Sequence, residues 1–141
     1  MRTFYLFKIK KPYYILTKNN PYNLFKALES IYYSNDYEIT YSINYFNQIK
    51  ENFNKEYINN QIYETYKNNY SYTKCNNIHI ISDYCKREKT KLEINKTYLL
   101  IKSTKQVPTF LKNIPYEENV FVCDFKSKDY FWLNEINKVL V

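Results

Sequence analysis

A chain of 141 residues without a single glycine has to make every turn without the one residue that enters positive φ freely. Phosphate-cradling loops depend on that freedom, because the backbone must approach the anion closely. Walker-type, dinucleotide-fold and kinase glycine motifs are therefore excluded in their usual forms, and so is the nucleophile elbow of the α/β-hydrolases. Helix ends and turns fall to Asn, Asp and Pro, with Asn the next best residue in the left-handed region. The Asn pairs at 19-20, 59-60, 68-69 and 76-77 are expected at such ends and turns.

The length suits one domain with a core of its own, needing neither disulfides nor a structural metal. Ile, Asn, Lys and Tyr dominate, all with codons rich in A and T, so an AT-rich genome accounts for much of the composition. The same correction applies to the net charge of +7. Lys and Arg are spread along the chain among 14 acidic residues. The densest basic run, Lys86-Arg87-Glu88-Lys89-Thr90-Lys91, is expected as a solvated turn. No segment approaches the roughly 18 apolar residues of a membrane span, and the N-terminus has no signal-peptide cleavage pattern. The three cysteines, Cys75, Cys85 and Cys123, have unrelated spacings and imply no disulfide framework, so a cytosolic, cytoplasmic protein is expected.

Thr3 to Lys10 predicts a strand, dense in β-prone and aromatic residues. Lys11-Pro12 breaks it, and Tyr13 to Thr17 is expected to be extended. Asn20-Pro21 is a helix start, and Leu24, Phe25, Leu28, Ile31 and Tyr32 form one apolar stripe running to about Ser34. Thr40 is the candidate N-cap of a second helix, with Ile43, Phe46 and Phe53 toward one side. Ile58, Ile62 and Tyr66 predict a third helix over Lys55 to Asn68. Asn69 to Asn77 reads as a turn, and Ile78 to Asp83 and Thr97 to Lys102 as strands. A short helix marked by Pro108 is expected around Lys105 to Asn113, a buried strand over Asn119 to Phe125, and a final aromatic segment over Tyr130 to Asn134. The order predicts a single α+β domain, with a mostly antiparallel or mixed sheet packed against three or four helices.

Catalytic chemistry finds little purchase. His79, the one histidine, lies between Ile78 and Ile80 and is expected to face solvent, with no nucleophile or orienting carboxylate signalled nearby. The cysteines lack the spacing of common zinc sets, and Cys123 in its apolar run is expected to be a small core residue. Carboxylates are scattered, with Glu117-Glu118 expected in a solvated turn. No catalytic residue, cofactor or metal is predicted. Adjacent aromatic pairs point another way. Two successive side chains cannot face the same direction, so one member each of Tyr13-Tyr14 and Tyr32-Tyr33 is expected at the surface, where tyrosine suits a protein partner.

Asp124-Phe125-Lys126-Ser127-Lys128-Asp129-Tyr130, followed by Trp132-Leu133-Asn134, resembles the C-terminal signature of the sporulation inhibitor of replication family, SirA. There a buried strand runs into an Asp-Phe-x-Ser-Lys-x-Tyr turn and then an aromatic segment. The resemblance extends to Phe4-Tyr5-Leu6-Phe7-Lys8, to Asn23-Leu24-Phe25 and to Tyr37-Glu38-Ile39-Thr40, in the same order. Phe131 stands where the family has Gly, Glu135 where it has Pro, and the 86–91 basic run looks like an insertion.

The resemblance implies a binding function: members bind domain I of the replication initiator DnaA and block new rounds of replication as a cell commits to sporulation. It also implies a contact surface after the first strand and early in the helix following the Tyr-Glu-x-Thr motif, near Tyr13, Tyr14, Ser42, Ile43 and Tyr45. Two other readings stay open. One is a nucleic-acid-binding module using basic and aromatic residues, and the other is an enzyme with an unrecognised site, which a deep polar pocket containing Cys123 or His79 would support.

Overall fold

The computed structural model describes residues 1–35, 38–115 and 118–136. Strand β1 (Arg2–Ile9) is followed by helices α1 (Lys11–Thr17), α2 (Pro21–Tyr32) and α3 (Ile39–Ile49). After the two-residue strand β2 (Lys50–Glu51) comes helix α4 (Lys55–Tyr66). Strands β3 (Tyr72–Cys75), β4 (Ile78–Asp83), β5 (Glu88–Ile94), β6 (Leu99–Ser103), β7 (Val120–Asp124) and β8 (Asp129–Trp132) complete it, with 3₁₀ turns at Thr109–Lys112 and Leu133–Glu135. All pairings are antiparallel. The eight-stranded sheet runs β3-β4-β5-β6-β1-β7-β8, with β2 on β1. The fold is the α+β domain expected.

Alternation along the central strands builds two cores, one on each face of the sheet. On the first face Phe4 and Leu6 of β1 and Val120 and Val122 of β7 meet Ile58, Ile62 and Tyr66 of α4. On the second, Phe7, Ile9, Phe121 and Cys123 meet Leu24, Phe25 and Leu28 of α2. Each such side chain contributes about 1.5–3 kcal/mol when fully buried. The spacing of those residues is why α2 and α4 are the two helices legible from periodicity alone.

Other elements differ from expectation for identifiable reasons. Tyr13 to Thr17 is helical rather than extended, because Pro12 occupies the first turn of α1, where its missing N–H costs nothing. Helix α3 takes Glu38 as its N-cap, two residues before Thr40. Phe53 lies beyond the end of α3 and enters the first core, on the opposite face from Phe46. Asn69 to Asn77 contains strand β3, an edge strand whose Thr73, Lys74 and Cys75 are exposed and so carry no apolar pattern. The supposed basic turn is mostly β5: Glu88, Thr90, Leu92 and Ile94 point inward while Lys89 and Lys91 point out. Asn59-Asn60 sits inside α4 rather than at an end. Among the described residues the left-handed turn positions fall to Asn76, Arg87 and Lys128, at φ 55, 51 and 55.

The Asp-Phe-x-Ser-Lys segment has a structural task. Asp124 accepts a hydrogen bond from the Ser127 N–H at 3.1 Å and so closes the β7–β8 turn. It also takes the Arg2 guanidinium at 3.0 Å. Phe125 drops into the second core, and Lys128 reaches Glu29 of α2 at 2.8 Å. The signature thus ties the C-terminal hairpin to the first strand and to α2.

Candidate protein-binding surface

Helix α1 is short and would not stand alone in water. Its inner side fastens it: the Tyr14 ring meets the Trp132 indole edge-on, centroids 4.8 Å apart. Thr17 Oγ1 donates to the Tyr13 carbonyl at 2.7 Å, and the Lys10 N–H donates to the Ile49 carbonyl at 2.8 Å, joining the start of α1 to the end of α3. Tyr13 and Tyr14 are both half-buried against the second core. The expectation that one of them faces out fails, because two wide rings about 100° apart straddle the contact line of the helix. Burial, and then the carboxylates of Glu118 and Glu135, push the Tyr14 phenol above its ordinary value. The residues that do face out are Ile15 and Leu16, the latter 77% exposed. Tyr32 and Tyr33, the other pair, are both exposed and pack on each other.

Helix α3 buries Ser42 and Ile49 and rests Phe46 edge-on against Phe7 at 5.6 Å. Ile43 is 52% and Tyr45 36% exposed, and Tyr41, unremarked in the sequence, is 77% exposed. At about 100° per residue, Ile43 and Tyr45 lie on opposite flanks of the buried stripe, with Tyr41 beside Tyr45 and Ile39 beside Ile43. Of the five sequence-derived positions, Tyr13, Tyr14 and Ser42 hold the helices in place, while Ile43 and Tyr45 reach solvent. Ile15 and Leu16 would have been found by helical phase, had Pro12 been taken as a first-turn residue.

His79 faces inward, contrary to expectation, and is fully buried. The register pairs it with Leu92, so it shares the first face with Ile81, while Ile78 and Ile80 turn to the other side. Its Nδ1 meets the Tyr72 hydroxyl at 2.7 Å and its Nε2 the Asn59 Oδ1 at 2.8 Å. Burial, aided by Lys74, lowers its pKa to about 4. Cys123 is buried, as expected, and burial raises its thiol well above the ordinary value. Glu117 lies outside the described residues; Glu118 is exposed. Among the described residues no group of three or more His, Cys, Asp or Glu is placed to hold a metal ion. No helix described is long and apolar enough to cross a membrane.

A small α+β domain that leaves tyrosines exposed on α2, α3 and α4 and aliphatic side chains exposed on α1 and α3 has the make-up of a protein-binding regulator. The chain belongs to the SirA family, described as sporulation inhibitor of replication protein, which it matches over residues 2–137. That family consists of regulatory inhibitors acting by protein interaction in replication control and is not a known enzyme family. No curated protein matches the chain.

Proposed function

We propose that this protein binds domain I of the replication initiator DnaA through α1 and α3, and by covering that domain stops initiation at the origin during sporulation. The observation that carries the reading is the set of apolar side chains left outside on these helices, Ile15, Leu16, Tyr41, Ile43 and Tyr45, in a chain of a replication-inhibitor family. Helices that are apolar on their outer sides hide that surface best against another protein. Tyr13, Tyr14 and Ser42 serve the contact by setting the helices. Competition for a surface needs no cofactor and no covalent step.

Titration of the host's DnaA domain I into the full chain tests the reading. A saturable complex of about 10 µM or tighter is expected, about −7 kcal/mol. Tyr45→Ala and Leu16→Ala should each weaken it by about 1–2 kcal/mol if they anchor the contact. Absence of any complex at tens of micromolar removes the proposal, and unchanged affinity in both variants moves the interface off these helices.

A further inference from the structure

Helices α1 to α3 cover only part of the second sheet face. Beyond β1 no described helix covers that face: β4 turns half-buried Ile78 and Ile80 toward it, β5 turns exposed Lys89 and Lys91, and β6 turns Leu100 and Lys102. Lys91 and Lys102 are direct register partners. Like charges placed directly opposite destabilise a sheet, and among the described residues none of these three lysines has a carboxylate within 4.0 Å. Glu93, two residues along the same side of β5, is engaged by the Asn95 amide at 3.1 Å. The pairing breaks a local rule with no opposite charge to offset it among the described residues.

One hollow adjoins this row at Lys102, and a second lies next to it across the shared wall of Tyr5, Tyr32 and Phe125. One, of about 200 Å³, is flanked by Lys102 and Lys126. Asp124 also lines it, but its carboxylate is already bound by Arg2 at 3.0 Å and by the Ser127 N–H. The other, of about 180 Å³, has Phe7, Leu28, Ile31 and Phe46 among its walls and Tyr98 at one side. Those four walls offer nothing to the polar edge of a nucleobase, whose burial without hydrogen bonds is costly. An aliphatic or aromatic side chain suffers no such loss. The positive row calls for an anion, and the groove beside it calls for an apolar side chain.

We infer that the open half of the second face is a docking surface for an acidic peptide segment of a partner protein. One large apolar side chain of the segment sits in the groove, a neighbouring carboxylate lies between Lys102 and Lys126, and further carboxylates run along Lys91 and Lys89. This surface stands independently of the proposed contact through α1 and the outer side of α3, since Phe46 enters the groove from the inner side of α3.

The test uses the full chain and a fluorescein-labelled dodecapeptide of alternating Asp and Glu with a central Leu-Phe, followed by fluorescence anisotropy. Saturable micromolar binding is expected, weakened at least tenfold by the double change Lys91→Glu and Lys102→Glu. It should also weaken at least tenfold when Ser-Ser replaces Leu-Phe in the peptide, a change that leaves the protein untouched. A circular dichroism melt of the double variant checks that it folds. No saturable binding, or equal affinity for the Ser-Ser peptide, overturns the inference. Tighter binding of a twelve-residue oligo-dT than of the peptide also overturns it, in favour of a nucleic-acid surface.

Discussion

His79 stands inside the first core with both ring nitrogens engaged. Asn59 presents its carbonyl oxygen, so Nε2 must carry the proton and Nδ1 must accept from the Tyr72 hydroxyl. That arrangement suits the neutral imidazole, and burial with Lys74 nearby brings the folded pKa to about 4. An unfolded histidine titrates near 6.5. Between those values the unfolded chain binds more protons, so the contribution of His79 is complete above about pH 6.5 and is lost as pH falls toward 4. Glu88 titrates lower: burial raises its pKa, but hydrogen bonds from Thr109 and Thr90 outweigh that and hold it below its ordinary value. The urea midpoint should therefore fall between pH 7.5 and pH 5, and His79→Gln should flatten that dependence while lowering the midpoint at pH 7.5. Equal pH losses in both proteins would assign the effect to other groups.

At the scale of elements, α1 separates holding from presenting. Tyr14→Ala removes the edge-on contact with Trp132 and should cost about 1–3 kcal/mol of stability. Leu16→Ala truncates a largely exposed side chain and should stay within about 0.5 kcal/mol. Urea denaturation of the two variants checks this, and similar losses would contradict the helix as placed. Among the elements legible in the sequence are α2 and α4, by the apolar stripe each turns to the sheet, and β7, whose unbroken apolar run is buried on both faces. Strand β5 was hidden by its own interior, since Glu88 and Thr90 point inward and satisfy one another with Thr109 and Ser103. A polar residue on an inward position imitates a turn unless its partners, 13 to 21 residues away, are known. The same holds for the surfaces. Ile43 and Tyr45 were within reach of the family resemblance, whereas the groove is assembled from β1, α2, α3, the β5–β6 turn and the β7–β8 turn, which no local pattern unites. The most specific block of that resemblance, around Asp124 to Tyr130, fastens the hairpin and says little about a partner.

At the scale of the molecule, the two cores share one sheet, and β1 and β7 lend alternate side chains to both. Leu6 and Phe7 are neighbours in sequence yet belong to opposite cores, so neither core can open without dislocating strands that build the other. Unfolding should then be a single cooperative event, and the cysteines offer a way to see it. Cys75 and Cys85 are exposed while Cys123 is buried under α2 on the second face, with its thiol pKa raised well above the ordinary value by burial. An aromatic disulfide reagent should label two thiols at once in the native protein and the third only through opening. Ile62 lies in the other core, fully buried on α4, and Ile62→Ala should cost about 2–5 kcal/mol. If the sheet couples the two faces, that substitution accelerates the labelling of Cys123 about tenfold for each 1.4 kcal/mol lost, although no atom of Ile62 faces it. If the second face opened as a unit of its own, the labelling rate of Cys123 would not change. The rate ratio between variant and parent, set against the loss measured by urea, decides between one folding unit and two.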